Sequence, residues 1–241
     1  MLLTFNVLCL LAAPLLVAFV VFNIGLRLLG EAVARHSIAR RTYAVFGLVG
    51  TPIHELSHLL VALIFGHKIT GLKLFSWRTS GYVSHSYNAH STFQVAGNFF
   101  IAMAPFMACM ALAYYWGFRD MNLSVDLTLD PINTMTRVLE MGPELFYSFV
   151  STNPWWKTML LIMISFYCVP SNTDFANALR SLFLSVPIFF VLVFAGVMFF
   201  PGLSQLVGAV LFMGILSTMT AIIWWVVLYL ITFLPGNIGR I

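Results

Sequence analysis

Five apolar stretches, each long enough to cross a lipid bilayer, constrain the fold of this chain more than any other feature. They cover roughly residues 5–29, 43–66, 93–117, 175–200 and 203–234. A helix needs about 20 apolar residues to cross the hydrocarbon core. Hydrophobic residues make up 61% of the 241 and charged residues only 8%, which leaves more apolar surface than a soluble fold of this size can hide. The sequence therefore predicts an all-α, multi-pass membrane protein of a plasma or inner membrane.

A sixth apolar stretch, residues 156–170, is shorter than a full span. It is either a half-helix or re-entrant segment, or it joins 145–152 in one broken span. The Pro-Ser-Asn-Thr break at 170–173 indicates a functional site, because irregular backbone at membrane depth must be buried in protein or line a cavity. We expect about six transmembrane segments in a single domain covering 1–241.

Three polar stretches separate these segments. The first, 30–42, is predicted to be a short basic loop. The second, 67–92, alternates apolar and polar residues between turn-forming ones, which indicates a membrane-associated β-hairpin. The third, 118–154, holds most of the acids and is predicted to be a surface loop with one amphipathic helix near 132–149.

Charge and cysteine content narrow the possible partners. The formal net charge is +4, but no run of five or more basic residues exists, so nothing supports nucleic-acid binding. Cys9, Cys109 and Cys168 each stand alone in an apolar stretch, which is typical of small buried side chains. A lipid bilayer is therefore the partner that the composition indicates.

Only four acids and histidines lie well inside the apolar segments, and three of them form one motif. His54, Glu55 and His58 make the pattern HExxH within the helix predicted over 43–66. On a helix the two histidines are four residues apart on one face, where both can bind one Zn²⁺. Glu55 is then placed to act on a water molecule beside the metal. The alternative is a pair of core histidines with a stray glutamate.

A catalytic zinc usually has three protein ligands. Asp174, at the start of the Asp-bearing break and helix over 170–200, is the best candidate for the third, because a carboxylate at membrane depth is costly and its default interpretation is functional. An ion pair with Arg180 is the alternative explanation of Asp174. The other candidate ligands lie in polar stretches: Glu140, Glu144, His85, His90 and Asp120.

An intramembrane HExxH, a following hairpin and a distal Asp after a Pro-containing break together resemble the site-2 proteases, which are zinc intramembrane metalloproteases of the M50 type. The resemblance implies His54, His58 and Asp174 as Zn²⁺ ligands and Glu55 as general base. It also implies a membrane-embedded protein or peptide substrate, cleaved in regulated intramembrane proteolysis. The chain departs from the family pattern after Asp174, where Phe175 replaces the usual glycine.

Substrate-binding residues follow from the same resemblance. Asn98 stands near the position of a family asparagine and is expected to hold a substrate carbonyl. The stretch 79–84 is expected to capture an unwound substrate by strand addition, which assigns Ser80, Gly81, Tyr82 and Val83 to substrate binding.

Two other classes of protein stay open. One is a non-enzymatic or inactive protease-like membrane protein, a scaffold or transporter, in which His and Asp form a buried polar network. The other is a histidine-box membrane metalloenzyme with two irons, which commonly needs about eight histidines by family resemblance. The chain has six histidines, with two inside the predicted spans, which argues against the second class.

Overall fold

The computed structural model describes residues 1–77 and 81–233. Over these residues the chain forms seven α-helices, a two-stranded sheet and a short 3-10 turn at Phe118–Asp120. The helices are α1 Leu2–Arg35, α2 Ser37–Ile64, α3 Thr92–Trp116, α4 Pro131–Thr152, α5 Trp155–Tyr167, α6 Asn172–Phe199 and α7 Leu203–Phe233.

Five of these helices are long and apolar enough to cross a membrane, namely α1, α2, α3, α6 and α7. They coincide with the five predicted segments, so the helical class is confirmed, and the five helices are compatible with a multi-pass membrane protein. The expected sixth span is not found, because α5 has 13 residues and a length of about 20 Å at the usual rise. Asn153 and Pro154 separate it from α4, since proline at the start of a helix interrupts the preceding one.

The predicted basic loop over 30–42 is wrong. Helix α1 runs to Arg35 and α2 starts at Ser37, so the chain turns at His36 alone. The His36 side chain accepts a hydrogen bond from the Ala39 backbone N–H at 3.3 Å and caps α2. The stretch is helical although it is polar, because arginine is a good helix former and no proline interrupts these residues.

The predicted hairpin and the amphipathic helix are both present. Strands β1 Lys68–Lys73 and β2 Tyr82–Ser86 pair antiparallel, with a bulge between Ile69 and Gly71. Helix α4 is somewhat longer than predicted. It begins where the Asp130 carboxylate accepts hydrogen bonds from two backbone N–H groups, and the following proline suits the first helical position.

Helix α7 is the most deeply buried spanning helix, and α6 is the least buried. Trp224 and Trp225 of α7 are buried against aromatic rings of α1, α2 and α5, including Phe46. Helix α2 packs against α3 and α5, while α6 packs against α3. This arrangement brings the middle of α2 and the first turn of α6 to the same place.

Candidate metal centre

The two histidines of the HExxH motif are held by backbone carbonyls of neighbouring helices. His54 Nδ1 lies 2.7 Å from the Tyr167 carbonyl oxygen at the end of α5. His58 Nδ1 lies 2.7 Å from the Ile101 carbonyl oxygen in α3. A carbonyl only accepts, so each Nδ1 carries the hydrogen and each neutral ring presents a lone pair on Nε2.

Those two lone pairs face each other. The Nε2 atoms of His54 and His58 lie 3.0 Å apart, yet in this tautomer neither neutral ring has a proton to donate across the gap. The Asp174 carboxylate completes the group, with Oδ2 3.6 Å from His54 Nε2 and Oδ1 3.4 Å from His58 Nε2. Three electron-rich groups converge here, as expected for ligands of a cation.

The three residues could hold a metal ion, since their ligand atoms all lie within 4.8 Å of one another. Two imidazoles and a carboxylate fit the donor set of a catalytic zinc, which keeps a fourth position open. A ligating histidine ordinarily donates its other ring N–H to a carbonyl or carboxylate, and both histidines do so here. The site therefore fits a divalent transition metal in its ligands and in their orientation.

Asp174 is oriented by the cap of its own helix. Its Oδ2 accepts hydrogen bonds from the Ser171 backbone N–H at 2.8 Å and from the Ser171 hydroxyl at 2.6 Å. The Asp174 backbone N–H in turn donates to the Ser171 hydroxyl oxygen at 3.2 Å. These contacts form a capping box. The Asp174 oxygens lie beside the Nε2 atoms of the two histidines. Within the described residues Asp174 forms no salt bridge with Arg180, which is exposed.

Glu55 is buried beside this group and lines the same cavity, whose volume is about 640 Å³. The hairpin covers it from one side. A Cβ atom added to Gly81 would lie 2.9 Å from Glu55 Cγ and 2.7 Å from Thr51 Cγ2. The absence of a side chain at position 81 is what allows the hairpin to pack this closely on α2.

The residues predicted to bind substrate surround this cavity as far as the structure describes them. Asn98 is buried on α3 and lines the cavity, as do Gly81, Tyr82 and Val83 of the hairpin. Ser80 lies outside the described residues.

The other candidate ligands do not join the group. Glu140 and Glu144 are exposed on α4, and Asp120 and His90 are exposed as well. His85 is half-buried and hydrogen-bonded to His67. Within residues 1–77 and 81–233, His54, His58 and Asp174 are the one set of three such side chains that converges.

Sequence reasoning missed Ser171 and the two carbonyls that orient the histidines. The Ser171-x-x-Asp174 spacing is a capping-box signal that was readable in the sequence. The carbonyls of Tyr167 and Ile101 have no sequence signal, since every residue has one and only helix packing selects them.

No family model, curated protein or solved structure matches this chain. The fold and the site are therefore the only guides to its class. The chain has five helices long and apolar enough to cross a membrane, and three side chains that converge between its helices could hold a metal ion.

Proposed function

We propose that this chain is an intramembrane zinc metalloprotease, which hydrolyses peptide bonds of membrane-embedded substrates in regulated intramembrane proteolysis. One observation carries the proposal. The lone pairs of His54 and His58 converge with the Asp174 carboxylate, next to buried Glu55, between helices long enough to span a membrane. Charged groups at such depth are costly, and their burial is a reason to assign them a function.

Bound zinc would supply Lewis acidity, which polarises a carbonyl and makes water more acidic. The chain itself supplies the proton transfers. The Glu55 carboxylate takes a proton from water as the water oxygen forms a bond to the scissile carbonyl carbon. Glu55 then gives that proton to the amine nitrogen as the C–N bond breaks. Its burial under the hairpin limits competing contact with bulk water.

Substrate binding is assigned to the cavity walls. A helical substrate has its backbone hydrogen bonds satisfied, so it must unwind before water can attack it. Strand β2 offers backbone groups for strand addition, and Val83 and Tyr82 lie on it beside the cavity. The Asn98 side-chain amide can donate a hydrogen bond to a carbonyl of the extended peptide.

Glu55→Gln tests the proposal, because it keeps the shape of the side chain and removes its basicity. We expect turnover to fall by about 10²-fold or more while one zinc per chain is retained. Glu140→Gln is the matched control, since Glu140 is an exposed acid on α4. Membrane proteomics of the two variants and the wild type should reveal an uncleaved membrane-embedded substrate that accumulates only with Glu55→Gln.

Three results would contradict this proposal. Normal cleavage by Glu55→Gln would show that Glu55 is not the general base. Purified wild type without bound metal would mean that His54 and His58 share a proton with Asp174 as an ion pair, which is the arrangement of a non-enzymatic membrane protein. Two irons per chain would instead indicate a histidine-box enzyme.

A further inference from the structure

A second pair of histidines lies beside the metal centre and is not used by it. His67 follows α2 and is 3% exposed. Its Nε2 lies 2.8 Å from the Gln94 carbonyl oxygen, and its Nδ1 lies 2.9 Å from His85 Nδ1. The His67 ring also stacks on Tyr87. The pair therefore links the start of α3 to the inner face of the hairpin.

For neutral rings, these contacts determine the hydrogen positions. The Gln94 carbonyl accepts, so His67 donates from Nε2, and in the neutral form of the ring Nδ1 is bare. That atom can only accept, so His85 must donate from its Nδ1. A neutral His85 is then left with a lone pair on Nε2 and no hydrogen there.

The side chain of His85 faces the cavity. Residues of β2 alternate between exposed and half-buried, and His85 shares the half-buried face with Val83. Both line the cavity that holds Glu55. Burial, followed by the proximity of His67 and His58, lowers the pKa of His85 although Asp174 opposes this, so the neutral ring is favoured. Among the described residues, none forms a hydrogen bond with His85 Nε2.

We propose that His85 is a substrate-binding residue whose Nε2 accepts a hydrogen bond from a backbone N–H of an extended peptide in the cavity, and that His67 is the positioning residue that fixes its tautomer. The inference rests on the proposed function for the nature of the ligand. The backbone carbonyls of the same extended peptide need hydrogen-bond donors instead, and the side-chain amide of Asn98, which lines the same cavity, can supply one.

The tautomer can be measured without any activity. In ¹⁵N NMR of the protein in nanodiscs, we expect His85 to carry its hydrogen on Nδ1. His67→Phe keeps an aromatic ring but removes the acceptor, so His85 should shift toward the Nε2–H form. An Nε2–H tautomer in the wild type, or no change with His67→Phe, would overturn the assignment.

Peptide binding tests the role of His85, in the Glu55→Gln background so that no turnover intervenes. The probe is an acetylated, amidated Leu/Ala peptide, and its backbone N-methylated form lacks donors. His85→Leu should weaken binding of the first peptide by about threefold to tenfold, as expected for one lost hydrogen bond. His85→Gln should restore most of it, because its side-chain oxygen can take the place of Nε2.

His90→Leu is the matched control, since His90 is exposed and lies outside the cavity. Zinc content should stay constant in all variants. Equal affinity of wild type and His85→Leu, an equal loss for the N-methylated peptide, or no binding of the peptide to any variant would each overturn the proposal. Cleavage by Glu55→Gln would instead overturn the proposed function, and the tautomer result does not depend on it.

Discussion

Ser171→Ala should weaken metal binding without changing any ligand. In the wild type, the Asp174 Oδ2 atom accepts two hydrogen bonds from Ser171, one from the backbone N–H and one from the hydroxyl. The substitution removes the second and leaves the first. Asp174 then gains freedom to rotate away from the Nε2 atoms of His54 and His58, which lie 3.6 and 3.4 Å from its oxygens.

The size of the effect follows from the two functions of this hydroxyl. A hydrogen bond to a charged group contributes about 1.5–3 kcal/mol, and loss of a partner that orients a metal ligand typically lowers metal affinity by about 10–100-fold. The hydroxyl also caps α6 by accepting from the Asp174 N–H, and loss of an N-cap costs about 1 kcal/mol of stability. We therefore expect about 10–100-fold weaker zinc binding together with a modest loss of stability.

Zinc affinity should be measured by competition with a chelator in detergent at constant pH, because metal binding releases protons. Ser91→Ala is the matched control. Ser91 caps α3 in the same manner, by accepting from the Gln94 N–H at 3.4 Å, but it contacts no proposed ligand. It should lose similar helix stability and keep full zinc affinity. Ser171→Thr, which retains a hydroxyl, should recover most of the binding.

Equal zinc affinity for Ser171→Ala and Ser91→Ala would refute this reasoning. It would mean either that the backbone N–H alone orients the Asp174 carboxylate, or that Asp174 is not a ligand. Asp174→Asn separates the two explanations, because it changes the ligand while keeping a group that can accept the Ser171 hydrogen bonds.

Three further predictions concern the surroundings of the site. Gly50→Ala would place a Cβ atom into the Tyr167 ring. A thermal melt should therefore show a loss of about 1–3 kcal/mol in the free energy of unfolding, and zinc binding should weaken. Gly142→Ala, with open space at that position, should change neither quantity. Val83→Pro removes a backbone N–H from β2 and should abolish cleavage at unchanged zinc content; normal cleavage would exclude strand addition there. Chelation of the metal should lower the melting temperature of the wild type more than that of Asp174→Asn, and equal shifts would argue against a metal at Asp174.

The sequence predicted five long apolar helices and the three residues of the candidate metal group, because each has a recognisable local signal. Apolar length alone marks a membrane helix, and the HExxH spacing alone puts His54 and His58 on one face. Asp174 could be selected because an acid in an apolar stretch is rare and costly. Its meeting with the two histidines depends on helix packing, and the structure brings the three together.

The remaining features depend on tertiary contacts or on weak local differences. The turn at His36 could not be placed, since basic residues suit a helix as well as a loop. Residues 156–170 do not form a full span because Pro154 and the irregular residues before α6 interrupt the helix. A hydropathy profile measures apolar length and does not detect such backbone breaks. The contact between Gly81 and Glu55 joins residues 26 positions apart and has no signature in composition or periodicity.

Four helices contribute groups to the candidate site, and their packing against one another holds those groups in place. Helix α2 supplies the two imidazoles, α6 supplies the carboxylate, and carbonyls from α5 and α3 fix the rings through Tyr167 and Ile101. Both carbonyls accept from Nδ1, so packing of α3 and α5 on α2 decides which ring nitrogen is free for the metal. A cation would then remove the mutual repulsion of the three electron-rich groups, and part of its binding free energy would become helix-packing free energy. Precision at His54 and His58 therefore comes from helices that carry no ligand at all, which explains why a four-residue spacing was enough to suggest the site but not to orient it.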